Sequence, residues 1–422
     1  MTAPLTDDRQ RVLGRSPLTT ARGLALDGAM TRPRGARTAP TNVSVISDEH
    51  PIADWVASGW DTATTPLRVG LIAPPWVPVP PTVYGGTEFV VEQLANGLTR
   101  AGCDVVLFTT GDSTCPVERR WLYPRALGTV ADPSAEVAHV ARAYRELAGM
   151  DVIHDHTLAG PQWVGTQRNG TPIVTTVHGP FTPRLRKHYA AVAAGGVDIV
   201  AISHSQRRSA PEVPITAVIH HGIDTARFPL GRGQGGYVLF LGRMHPDKGA
   251  HRAIAVARAA GQRIILAAKM WEPAERRYFA ECVEPMLGTD AVYVGEVGGR
   301  QKLELLSAAY ALLNPIRWPE PFGLVMIEAL ACGTPVLTFA EGAAPEIVEH
   351  GRSGFLCTDE DDMAAALGHV CDLDRNDCRA RVDTHFSTDR MVRDHLDLYR
   401  RLLSARSMRA GRTEQRPAGV AG

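Results

Sequence analysis

Glu320 and Glu328, eight residues apart, bracket the start of one helical segment in Trp318-Pro319-Glu320-Pro321-Phe322-Gly323-Leu324-Val325-Met326-Ile327-Glu328-Ala329-Leu330-Ala331-Cys332-Gly333-Thr334-Pro335. Pro321 suits a first turn, Leu324 to Ala331 is helix-compatible, and Gly333 with Pro335 reads as a C-terminal stop. Glu328 then lies inside a helix whose neighbours are almost all apolar, where a carboxylate is costly to desolvate unless a partner meets it. Glu320, just outside the N-terminus, is left free to face whatever binds the positive end of the helix. An anionic, hydroxyl-rich ligand suits that arrangement.

The elements that must position these groups alternate between short apolar runs and helical or loop-like sequence. Leu67 to Ala73 reads as a buried strand, followed by a loop to Tyr84 and then Gly85-Gly86 before a helix from about Thr87 with Val91, Leu94, Ala95 and Leu98 on one face. Further strands are predicted at Val105 to Phe108, Val152-Ile153, Ile173 to Val177 and Asp198 to Ile202. A polar, glycine-rich link at Gly231 to Gly236 precedes a second series: Tyr237 to Leu241, Ile264 to Ala268, Val292 to Val294, Ala311 to Leu313 and Val336 to Phe339. The alternation predicts an α/β protein with parallel sheets in two similar halves and a cleft between them. Ligands on such sheets bind beyond the carboxyl ends of the strands. That places His178, the segment Gly242-Arg243-Met244-His245-Pro246-Asp247-Lys248-Gly249, and Lys269 among the candidates.

The segment Glu320 to Val336 resembles the E-x7-E signature of retaining glycosyltransferases of the GT-B fold, most closely glycosyltransferase family 4, and Gly242 to Gly249 resembles that family's G-R-x4-K-G segment. The resemblance covers roughly residues 67 to 404 and implies two Rossmann-like domains facing a central cleft. The expected division is an N-terminal extension, largely disordered, over 1–66, an acceptor-binding domain over 67–229, and a nucleotide-sugar-binding domain over 230–388. A helix over 389–405 would cross back to the first domain, and 406–422 would be a free tail.

The implied activity is transfer of a hexose from a UDP- or GDP-linked sugar to an acceptor hydroxyl, with the nucleotide sugar as co-substrate and no cofactor. Arg243 and Lys248 would hold the diphosphate, where a fixed guanidinium and ammonium stabilise the growing negative charge without a metal. Glu320 would hold the sugar hydroxyls, Glu328 the ribose, and His178 would lie against the transferred sugar. Gly85 and Gly86 match a glycine loop beside the phosphates and acceptor, where backbone N–H groups approach an anion closely only if no Cβ intrudes. Phe322, Gly323, Leu324 and Lys269 complete the donor-binding set. Glu341 to Glu346 matches a loop that reads G-G-x-P-E in many relatives, with Ala343 in place of the second glycine and its N–H still available to a diphosphate. A nucleotide-sugar epimerase or phosphorylase on the same fold, or a silent GT-B binding scaffold, are the alternatives.

Composition narrows the field. The 422 residues are 44% hydrophobic and 21% charged with a formal net charge of +0, which fits two globular domains and excludes a global basic field for nucleic acid. Seven scattered cysteines without a C-x-x-C pair suit a reducing compartment, and no apolar run approaches the roughly 20 residues that span a bilayer, so a cytoplasmic location is expected. His154, Asp155 and His156 look like a metal triplet, but alternation on a strand sends neighbours to opposite faces, so no metal is assigned. Asp359 to Asp362 reads as a solvated turn and helix start. Arg184, Arg186, Lys187 and His188 form a basic cluster that could meet an anionic acceptor or a membrane surface. The acceptor itself, whether a sugar, a small molecule or a lipid-linked group, is not specified by these patterns.

Overall fold

The computed structural model describes residues 66–83, 85–128, 133–166 and 170–414. The extension expected over 1–66 falls, Pro66 apart, outside the described residues, as do residues 415–422 of the expected tail. The first sheet contains β1 (Arg68–Ile72), β2 (Asp104–Thr109), β3 (Glu118–Trp121), β4 (Val152–Asp155), β5 (Ile173–Val177), β6 (Asp198–Ala201) and β7 (Ile215–Val218). The second contains β8 (Val238–Arg243), β9 (Ile264–Lys269), β10 (Ala291–Tyr293), β11 (Leu312–Asn314), β12 (Val336–Phe339) and β13 (Gly354–Cys357). Every pairing is parallel, in the orders β3-β2-β1-β4-β5-β6-β7 and β10-β9-β8-β11-β12-β13. Both sheets therefore reverse direction beside their first strand, between β1 and β4 and between β8 and β11, the switch points at which doubly wound sheets hold ligands.

Helices α1 (Gly86–Arg100), α2 (Pro133–Glu146), α3 (Pro183–Ala194) and α4 (His204–Arg208) belong to the first series. Helices α5 (Ala250–Ala259), α6 (Pro273–Tyr278), α7 (Gly299–Ala308), α8 (Leu324–Ala331), α9 (Ala344–Ile347), α10 (Glu360–Leu367) and α11 (Arg375–His385) belong to the second, and α12 (Thr388–Glu414) follows. The apolar runs that announced the central strands are those covered on both faces: β4, β5 and β12 are buried at every position. The strands β3, β7 and β13, which carried no such signal, stand at sheet edges with exposed or half-buried residues, where one side needs no apolar cover.

α12 leaves the second series and packs on the first. Met391, Val392, Leu396 and Tyr399 share a buried cluster with Val69, Leu71, Val91 and Leu94. A Cβ at Gly97 of α1 would stand 2.4 Å from Val392 Cγ2, so the absence of a side chain is what lets the two helices meet. α12 continues to Glu414, past the end expected near 405, so 406–414 are helical rather than a free tail. Leu402 and Leu403 still pack against the core, and no proline interrupts the following residues up to Glu414 in a helix that is already nucleated. Among the described residues no helix is long and apolar enough to cross a membrane.

Candidate active site

The candidates named from the sequence for catalysis or donor binding, the Glu341 to Glu346 loop apart, line one cleft of about 960 Å³: Gly85, Gly86, His178, Arg243, Lys248, Lys269, Glu320, Phe322, Gly323, Leu324 and Glu328. The cleft draws on both series, and each wall owes its chemistry to the ends of strands. β8 ends in Arg243, β9 in Lys269 and β5 just before His178. α8 begins after Gly323, whose φ of 100° suits a residue without a Cβ, and no side chain caps its first N–H groups.

The two carboxylates of the E-x7-E segment are each held by a cation. Glu328, 7% exposed, accepts a 2.7 Å hydrogen bond from Lys302 Nζ on α7, which supplies the partner its apolar helix demanded. Glu320 is not free, contrary to the sequence reading: its Oε2 pairs with Lys248 Nζ. Its backbone is fixed as well. Gly342, at φ 56°, lies so close that a Cβ would stand 2.3 Å from the Glu320 carbonyl, and Ala343 N–H donates to that carbonyl at 3.0 Å. The Ala343 N–H is therefore committed to the peptide of Glu320, which corrects the expectation that it would be available to a diphosphate. Glu346 likewise turns away, accepting from the N–H groups of His204 and Ser205 and pairing with His220 at 2.7 Å.

Arg243 and Lys269 share a counter-ion that sequence reasoning missed. Glu275 of α6 is fully buried, with Oε1 3.9 Å from Arg243 Nε and 3.8 Å from Lys269 Nζ. Its Oε2 accepts from the N–H groups of Trp271 and Glu272. Lys269 Nζ also stands 4.2 Å from the ring centre of Trp271. The only signal for Glu275 was its place three residues beyond Glu272 at a helix start. Lys302 was visible as one of four lysines, Lys187, Lys248, Lys269 and Lys302, but its partner was not.

His178 is part of a stack of imidazoles. Its Nε2 lies 2.9 Å from His156 Nδ1, and its ring stacks on His221 at 5.2 Å. His154 bridges Tyr399 of α12 and Thr176 at 2.6 and 2.8 Å. Burial pushes His178 down to about 3 and holds His154, His156 and His221 well below the ordinary imidazole range. These rings are neutral at pH 7, so His178 offers the cleft a hydrogen bond and not a charge. Asp155 points elsewhere, to Tyr144 at 2.8 Å and the Thr157 N–H, and burial raises it to about 7. The basic cluster around Lys187 is not among the residues lining the cleft, and Arg186 faces Glu212 at 3.5 Å. Asp359 caps α10, accepting from the Asp362 N–H.

Two doubly wound parallel sheets that face one cleft, with cations and paired carboxylates at the strand ends, define a GT-B glycosyltransferase. The Glycosyltransferase Family 4 sequence model matches residues 84–227 and the Glycosyl transferases group 1 model residues 223–378. The chain belongs to this group: it is a GT-B glycosyltransferase of the family 4 type, transferring sugar from a nucleotide sugar. It is 28% identical to a glycogen synthase of Mycobacterium tuberculosis (strain ATCC 25618 / H37Rv), over 69% of this chain and 84% of that protein. It is also 28% identical to the D-inositol 3-phosphate glycosyltransferase of Acidothermus cellulolyticus, over 85% and 95%. Among solved structures, AviGT4, a glycosyltransferase involved in avilamycin A biosynthesis, matches at 29% identity and a TM-score of 0.62, over 80% of this chain and 98% of that one.

Proposed function

We propose that the enzyme is a retaining hexosyltransferase that takes its sugar from UDP or GDP and passes it to an acceptor hydroxyl, with neither metal nor cofactor, in the cytoplasm. The observation that carries this reading is the placing of both E-x7-E carboxylates on the cleft, each with its own lysine, beside Arg243 and Lys269. Arg243, Lys248 and the uncapped start of α8 meet the diphosphate, and the charge that grows on it as the sugar bond breaks finds fixed counter-charges. Glu320 orients the sugar hydroxyls and Glu328 the ribose. The acceptor oxygen bonds to the anomeric carbon on the face that the diphosphate leaves, and the acceptor proton passes to the departing phosphate oxygen. The free cysteines among the described residues suit a reducing compartment.

The test is product analysis with UDP-glucose and GDP-mannose, in excess chelator, read by NMR of the anomeric proton. Product with the anomeric configuration of the donor is expected. An inverted product overturns the retaining assignment, and a sugar isomerised without any acceptor makes the protein an epimerase.

A further inference from the structure

The cations of the cleft are segregated. Arg243, Lys248, Lys269 and Lys302 all come from the second series, which also supplies Glu272, Glu296, Glu320 and Glu328, and Arg227, in the connection between the two, is held by both oxygens of Glu92 at 2.9 and 3.0 Å. Among the described residues no lysine or arginine of the β1–β7 half lines the cleft, and the one charged group it places there is Glu88, in the first turn of α1. Glu88 is 6% exposed and makes no ion pair with any described residue. Its Oε2 lies 3.1 Å from where a Gly85 Cβ would stand, in a nook that Val77 and Pro81 also crowd. Burial raises its carboxyl to about 7. The carboxyl accepts from its own backbone N–H and lines the cleft two residues beyond the Gly85-Gly86 turn, where a carboxylate can accept from more than one donor.

A donor diphosphate belongs on the wall that supplies these cations, which leaves the Glu88 side, beyond the Gly85-Gly86 turn, to the acceptor. We infer that Glu88 is an acceptor-binding residue, and that the acceptor is an uncharged polyol or sugar whose hydroxyl donates to its carboxylate. Trp76, Pro80 and Val83 of the same cleft give an apolar surface, the usual complement of a few convergent polar groups in a small-molecule site. A phosphate ester placed against Glu88 would meet a carboxylate with no cation supplied by the same wall, so the wall that recognises hydroxyls disfavours phosphate esters. This rests on the glycosyltransferase reading above and adds the acceptor class to it.

The experiment uses the full chain with UDP-glucose and GDP-mannose and paired acceptors: maltose against maltose 1-phosphate, and myo-inositol against inositol 3-phosphate. UDP and GDP binding is measured separately by calorimetry. Transfer to the neutral member of a pair is expected, and Glu88→Gln should raise KM for it about tenfold or more, the value of a hydrogen bond to a charged group, while nucleotide affinity stays unchanged. Glu88→Lys should shift preference toward the phosphate ester. Equal or better transfer by the wild type to phosphate esters overturns the inference, as does an unaltered acceptor KM in Glu88→Gln. Absence of transfer to both neutral acceptors with nucleotide binding intact also counts against the acceptor class. Absence of any nucleotide binding instead overturns the donor reading on which it stands.

Discussion

Acidification should destabilise this protein steeply between pH 7 and pH 5, because it buries neutral imidazoles. His139, His154, His156, His221 and His395 are each 5% exposed or less, and burial lowers every one of them, His139 and His395 to about 4. A histidine whose folded pKa is depressed binds its proton more readily when unfolded, so stability is complete above the unfolded value near 6.5 and declines as pH falls below it. Each ring that stays neutral when folded loses about 2 kcal/mol between pH 8 and pH 5, roughly 10 kcal/mol for the five. Two carboxyls oppose them. Asp155 and Glu88, both raised to about 7, take up protons in the folded state first, and each returns about 2 to 3 kcal/mol over the same range. Glu136, also raised by burial, acts in the same direction.

The balance is a loss on the order of 5 kcal/mol, which is comparable to the whole stability of many domains. Melting followed by circular dichroism at constant ionic strength should therefore show Tm at pH 5 lower than at pH 8 by about 7 °C. His395→Leu isolates one group. Its ring makes a single hydrogen bond, to the Met391 carbonyl, and the variant should shed about 2 kcal/mol of the acid loss. A Tm that stays level from pH 8 to pH 5 would refute the argument, since rings that charge in place without cost are not enclosed as described.

Four further outcomes are expected. Arg243→Ala and Lys248→Ala should each lower kcat at saturating donor by about two orders of magnitude, near 3 kcal/mol, with the fold retained; wild-type turnover in both removes them from the mechanism. Lys302→Met strands the Glu328 carboxylate in its apolar helix and should cost about 3 kcal/mol in a denaturant melt together with weaker UDP binding, so an unchanged melt argues against the pair. Gly342→Ala forces a Cβ against the Glu320 backbone and should depress kcat by more than its effect on Tm would explain; the reverse ranking would make the glycine purely structural. Activity should persist in excess EDTA, and loss that Mg²⁺ or Mn²⁺ restores would show that the cations of the cleft do not suffice.

What the chain disclosed in advance follows from where each residue's partner sits. Central strands such as β5 and β12 are buried on both faces, so their signal is contained in their own few residues. The edge strand β3, with Glu118, Arg119 and Arg120, pairs with β2 alone and leaves no such mark. The same division runs through the cleft. Arg243, Lys248 and the two glutamates stand in local patterns, and those patterns located the cleft. Their counter-ions lie far along the chain: Lys302 precedes Glu328 by 26 positions, and Glu320 is 72 from Lys248. Nothing near Glu320 in sequence indicates that its side chain is held, or that the Gly342 turn grips its peptide from behind. The residues that bear charge were legible because local chemistry requires them; the residues that hold those charges in place were not, because only the closure of two sheets around one cleft brings them together.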